Sequence, residues 1–89
     1  MNKQELLKKI EQNILLSMDE QLSIFDLPNK DIKELLIEYI SYDYLCPDAQ
    51  LKIFNLPTEM AKEIWDKYSC VSHYISLDAI EKAHELGWM

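Results

Sequence analysis

One stretch of this chain occurs twice, and the repetition limits what the chain can fold into more than any other feature. Residues 19–28 read Asp-Glu-Gln-Leu-Ser-Ile-Phe-Asp-Leu-Pro, and residues 48–57 read Asp-Ala-Gln-Leu-Lys-Ile-Phe-Asn-Leu-Pro. Asp19, Gln21, Leu22, Ile24, Phe25, Leu27 and Pro28 therefore recur about 29 residues later as Asp48, Gln50, Leu51, Ile53, Phe54, Leu56 and Pro57. The agreement runs on through Lys33-Glu34 with Lys62-Glu63 to Tyr39 with Tyr68. Self-similarity at a period of this size marks stacked units, each unable to bury its apolar face alone.

The apolar spacing makes the units helical. Leu6, Leu7, Ile10, Ile14 and Leu15 follow the three-and-four rhythm of an amphipathic helix from Lys3 to about Leu16. Ser17 with Glu20 three residues on is a capping-box pattern, so a second helix starts near Met18 and stops before Pro28. Asn29 is placed to cap a third helix whose buried stripe is Ile32, Leu35, Leu36, Tyr39 and Ile40. After the connector Ser41-Tyr42-Asp43-Tyr44, Pro47 opens a fourth helix, and Thr58 caps a fifth with Met60, Ala61, Ile64, Trp65 and Tyr68 inward. Cys70 to Ile75 reads as a linker, Ser76 as the cap of a sixth helix, and Gly87 as its end.

The expected fold is all-α: a small right-handed α-solenoid-like array of about three long/short helix pairs, six helices in one domain over residues 1–89. Whole repeats cover about 16–44 and 45–74, with partial units at both ends. In the last unit Glu81 and His84 stand where Leu51 and Phe54 stood, the polar outer face that a terminal unit needs. Leu22, Phe25, Leu51 and Phe54 are expected to be equivalent core positions.

A single Gly and three Pro leave little material for hairpins, and the net charge of −7 favours a partner with a basic surface. All nine cations are Lys. Without the guanidinium fork, direct nucleic-acid binding is not expected. The charged first helix is neither a secretory core nor a membrane span, and Cys46 and Cys70 do not make a disulfide scaffold; the expectation is a cytoplasmic protein with reduced thiols.

The unit D-x-Q-L-x-I-F-x-L-P, followed by a helix that ends in Tyr, resembles tandem short helical repeats of larger bacterial proteins in the broad HEAT-like and leucine-rich-variant class. The likeness covers residues 16–69 well and the ends loosely. It lacks the Trp/Gly/Tyr pattern of tetratricopeptides and the T-P-L-H of ankyrins. The matching residues are core and punctuation, so the resemblance implies a binding scaffold and transfers no functional residue.

Candidate chemistry is sparse. Cys70 and His73 form a C-x-x-H half-site that Cys46 and His84 do not complete as a second pair, so no metal and no cofactor are expected. No nucleophile motif or phosphate-cradling loop is present, and an enzyme is not expected. The connector is richer in tyrosine than its role requires, which makes Tyr42, Asp43 and Tyr44 a candidate contact patch. Glu63 and Asp66, on the helix that Thr58 opens, represent the alternative of an acidic face that imitates phosphate spacing. Together these point to a non-catalytic protein-binding module, in the form of a small acidic inhibitor or adaptor of a nucleic-acid-handling protein, as in phage anti-defence (anti-CRISPR-like) proteins. A self-associating scaffold, with Trp65, Trp88 and Met89 in a homodimer interface, is the alternative from a different class.

Overall fold

Helix α1 (Lys3–Glu11) begins where the Asn2 side chain accepts the Glu5 N–H at 2.9 Å. The computed structural model describes residues 2–71 and 74–89. Helix α2 (Met18–Ile24) carries the full capping box, Glu20 N–H to Ser17 Oγ at 3.2 Å and Ser17 N–H to Glu20 Oε1 at 3.0 Å. Then come α3 (Asn29–Ile40), α4 (Pro47–Ile53), α5 (Thr58–Val71) and α6 (Leu77–Glu85). These six helices are the regular structure of the described residues, which contain no strand. The all-α architecture and the helix number follow the sequence expectation.

The longer helices pack side by side in the order α1, α3, α5, and the shorter ones in the order α2, α4, α6. The two rows lean on each other through α2 against α1 and α3, and through α4 against α5. Repeat-equivalent residues fill the space between them. Leu6, Leu35 and Ile64 share one position, Ile10, Tyr39 and Tyr68 another, and Ile24, Ile53 and Ala83 a third; all are buried.

Four local expectations are corrected. Helix α1 stops at Glu11 rather than near Leu16, because Asn13 takes the left-handed conformation at φ 56°. Its N–H bonds Ile10 O and that of Ile14 bonds Lys9 O, the Schellman pattern, which recurs at the end of α6, where the Gly87 N–H bonds His84 O and the Trp88 N–H bonds Ala83 O. Asn29 is the first residue of α3 and not its cap; Pro28 holds that place with no side-chain bond. Helix α5 runs on to Val71, into the expected linker, while Ser72 and His73 of that linker lie outside the described residues. Leu22, Phe25, Leu51 and Phe54 are half-buried, with Leu22, Phe25 and Phe54 packed against the core, whereas the adjacent Gln21 and Gln50 are buried.

Candidate protein-interaction surface

The edge of the array where long helices hand over to short ones is built by two repeated hydrogen-bond devices. In the first, the Tyr39 hydroxyl accepts the Leu16 N–H at 3.0 Å, and the Tyr68 hydroxyl accepts the Leu45 N–H at 3.1 Å. Each phenol passes its own proton on, Tyr39 to Asp43 Oδ2 and Tyr68 to the Tyr74 carbonyl, both at 2.6 Å. Burial, then the Asp43 carboxylate, pushes the Tyr39 phenol well above its ordinary range, so it stays a donor. In the second device, Gln21 donates to the Leu16 carbonyl at 3.1 Å and Gln50 to the Leu45 carbonyl at 2.8 Å. Their side-chain oxygens accept the N–H of the next unit's cap residue, Cys46 at 2.7 Å and Ser76 at 2.8 Å. Buried backbone groups must find partners. Here the partners are side chains at fixed repeat positions, and they hold successive connectors side by side.

On this support, what the repeat does not bury faces outward. Leu15, Tyr44 and Tyr74 stand at equivalent places before the short helices, and Met18, Pro47 and Leu77 are the first residues of those helices. All six are exposed, Leu15 at 65 %, Met18 at 53 %, Tyr44 at 55 % and Leu77 at 77 % among them. The Tyr44 and Tyr74 rings touch, with centroids 5.2 Å apart, so the row is continuous across two units. The Tyr42 hydroxyl donates to the Ile14 carbonyl at 3.1 Å, which ties the first two connectors together. Asp19, Asp48 and Asp78 follow directly in each unit, exposed and without a lysine partner among the described residues. Each unit thus presents an apolar residue, a second apolar residue and a carboxylate.

The five residues singled out from the sequence fall into different settings. Tyr44 belongs to the exposed row. Tyr42 and Asp43 are half-buried, the Tyr42 ring meeting Tyr39 edge-on at 5.2 Å and Asp43 holding the Tyr39 hydroxyl. Both therefore brace the seam between units. Glu63 bridges to Lys33 at 2.7 Å in the first half of α3, at the opposite end of that helix from the connector. Asp66 bridges to Lys62 at 2.9 Å on its own helix. Lysine neutralises both carboxylates, and neither is brought to Tyr44. The sequence reading placed Leu15 on the apolar face of the first helix and did not single out Met18, Tyr74 and Leu77 as contact residues. The available signal was apolar character at repeat positions that the core does not claim.

The described residues contain no cluster of His, Cys, Asp and Glu able to hold a metal ion, and His73 of the Cys70 half-site lies outside them. No helix among them is long and apolar enough to cross a membrane. In comparison with known proteins, no family model, curated protein or solved structure matches this chain.

Proposed function

We propose that this chain is a non-catalytic protein-binding module: a short α-solenoid of HEAT-like units that engages another protein along its connector edge. The observation that carries the reading is the exposed row Leu15, Tyr44 and Tyr74 with Met18, Pro47 and Leu77, braced from beneath by the tyrosine and glutamine bonds. Apolar side chains gathered on one rigid edge and rimmed by charge are the usual composition of an interaction site. The partner it suits carries a basic surface, in keeping with the net charge of −7 and with aspartates beside the row that have no lysine partner among the described residues. An inhibitor or adaptor of a nucleic-acid-handling protein, of the anti-defence kind, is the form we favour, since such proteins offer lysine- and arginine-lined surfaces. Of the residues expected in a homodimer interface, Trp65 is buried, and Trp88 packs on Phe54 at 5.6 Å under the Lys62 ammonium. That packing favours a foreign partner over a second copy.

Affinity capture from the source cells tests the reading. The protein retained by the native chain should be lost with Tyr44→Ser combined with Leu77→Ser, and kept with Glu63→Lys combined with Asp66→Lys. The reverse pattern would move the site to the acidic helix face.

A further inference from the structure

Leu27-Pro28 and Leu56-Pro57 lead the chain into α3 and α5, but at the third such place Leu86 is followed by Gly87. Pro28 has φ −57°, whereas Gly87 has φ 75°. A Cβ on Gly87 would meet nothing within 4 Å, so the left-handed backbone, and not the space, calls for glycine. The turn carries back Trp88, which stands in the sequence where Asn29 and Thr58 open their helices. Its N–H bonds the Ala83 carbonyl at 2.8 Å, and its ring lies against Phe54 with centroids 5.6 Å apart. We propose that this turn is a stop: Trp88 occupies the place on α5 where helix α1 of a second copy would stack, and it keeps copies of the chain from assembling end to end.

The repeat identifies the place. Each long helix after the first reaches back to its predecessor with the same glutamate. Glu34 of α3 pairs with Lys3 of α1 at 3.0 Å, and Glu63 of α5 pairs with Lys33 of α3 at 2.7 Å. Lys62 is the counterpart of Lys33 one repeat later, so it marks the side of α5 on which a further long helix would lie. The Trp88 ring is there, with the Lys62 Nζ 5.8 Å from its centroid. Phe54 and the buried Trp65, 5.0 Å apart, complete the aromatic cluster at this end of the array. Stacked units bury such faces against a neighbour, and a terminal unit must close them.

The same register names the excluded occupant. Glu5 of α1 is the counterpart of Glu34 and Glu63, exposed and without a lysine partner among the described residues. Lys62 is held only by Asp66 of its own helix and by the Trp88 ring. With the ring displaced, Glu5 of a second copy can take Lys62 as Glu63 takes Lys33, and α1 then extends the long row beyond α5. Such a contact joins one end of the molecule to the other end of the next. It does not close on a dimer, and it grows into a fibre.

Sedimentation equilibrium over a range of concentrations reads the stop. The native chain should keep its monomer mass throughout. Trp88→Ser should give an average mass that climbs with concentration past about twice the monomer value, because the contact is head to tail. Gly87→Pro, which keeps every ring and restores the Leu-Pro of the other units, should do the same. Adding Glu5→Lys to either variant should return it to the monomer, and adding Lys62→Glu as well should bring the association back. Both changed positions lie beyond α6, so circular dichroism should show native helix content. A native chain that already associates would overturn the stop, and so would folded Trp88→Ser and Gly87→Pro variants that stay monomeric. Association that ignores Glu5→Lys would overturn the end-to-end register. Loss of helix in both variants would also overturn the proposal, since the turn would then support the core instead of barring a second copy.

Discussion

The Gln21 side chain accepts the backbone N–H of Cys46 at 2.7 Å, across the boundary between one unit and the next. Gln50 does the same for Ser76. The cap residue of a helix has an N–H that the helix itself leaves unpaired, and the array meets that need from the preceding unit. Ser17 receives no such bond from a glutamine among the described residues, and there Glu20 closes a capping box instead. At the position of Glu20 the later units carry Ala49 and Ala79, both buried, since a long side chain there has neither space nor a remaining donor to satisfy.

Replacing Gln50 by Leu keeps the volume, strands the Ser76 N–H and removes the shorter of the two bonds to the Leu45 carbonyl. An unsatisfied buried polar group costs roughly 1–3 kcal/mol, and each kcal/mol shifts the midpoint of a domain this size by about 4–8 °C. Thermal unfolding followed by circular dichroism should show that loss for Gln50→Leu and for Gln21→Leu. An unchanged Tm would mean that the cap residues find other partners.

Tyr39→Phe and Tyr68→Phe remove only the hydroxyls that receive the Leu16 and Leu45 N–H groups. Each should lower stability by about 1–2 kcal/mol in urea titration, at nearly constant m-value because the buried surface is unchanged. Tyr44→Phe, at the exposed neighbouring position, should stay within about 0.5 kcal/mol.

Glu20 supplies a pH signature. A hydrogen bond from Lys9, followed by one from the Ser17 backbone N–H, holds its carboxyl below the ordinary carboxylate range. A group whose pKa is depressed on folding binds its proton more readily in the unfolded chain. Its contribution is therefore present above the unfolded value of about 4.3 and is lost as the pH falls through the folded one. Glu20→Gln should lower Tm at pH 7 and approach the native protein as the pH is taken towards 3. A difference in Tm that stays constant with pH would show that the charge is not involved.

The duplicated phenylalanines should not be equivalent under mutation. Phe54 meets Trp65 at 5.0 Å and Trp88 at 5.6 Å, whereas Phe25 has no ring within contact among the described residues. Aromatic pairs add roughly 0.5–1.5 kcal/mol beyond burial. Phe54→Ala should therefore cost more than Phe25→Ala, and Ile53→Ala, at a fully buried position, about 2–5 kcal/mol. Equal losses at the two phenylalanines, measured by chemical denaturation, would contradict the asymmetry.

Much of this architecture was legible in the sequence. The period of about 29 residues, the Leu-Pro stops, the Ser17–Glu20 box and the Ser76 cap are local signals, because helix propensity and capping act over three or four residues. Six helices in long and short alternation follow from them. Even the early end of α1 had a local mark in Asn13, a residue that tolerates the left-handed turn, though the apolar Ile14 and Leu15 beyond it suggested more helix.

What only the tertiary structure decided was which repeated residue does what. Gln21 looks like a surface residue until Cys46, 25 positions away along the chain, is brought against it; burial with satisfied bonds is then favourable, whereas burial alone is not. Tyr42 and Asp43 looked as free as Tyr44, yet Ile14 and Tyr39 claim the first two and leave only the third at the surface. The aspartates at 19, 48 and 78 had a sufficient local explanation in the helix dipole, and only the stacking of units lines them up beside an apolar row. The pattern along the chain determines the period and the helices, since those depend on neighbours in sequence. The assignment of core, brace and exposed edge depends on neighbours in space, which the packing of one unit on the next supplies.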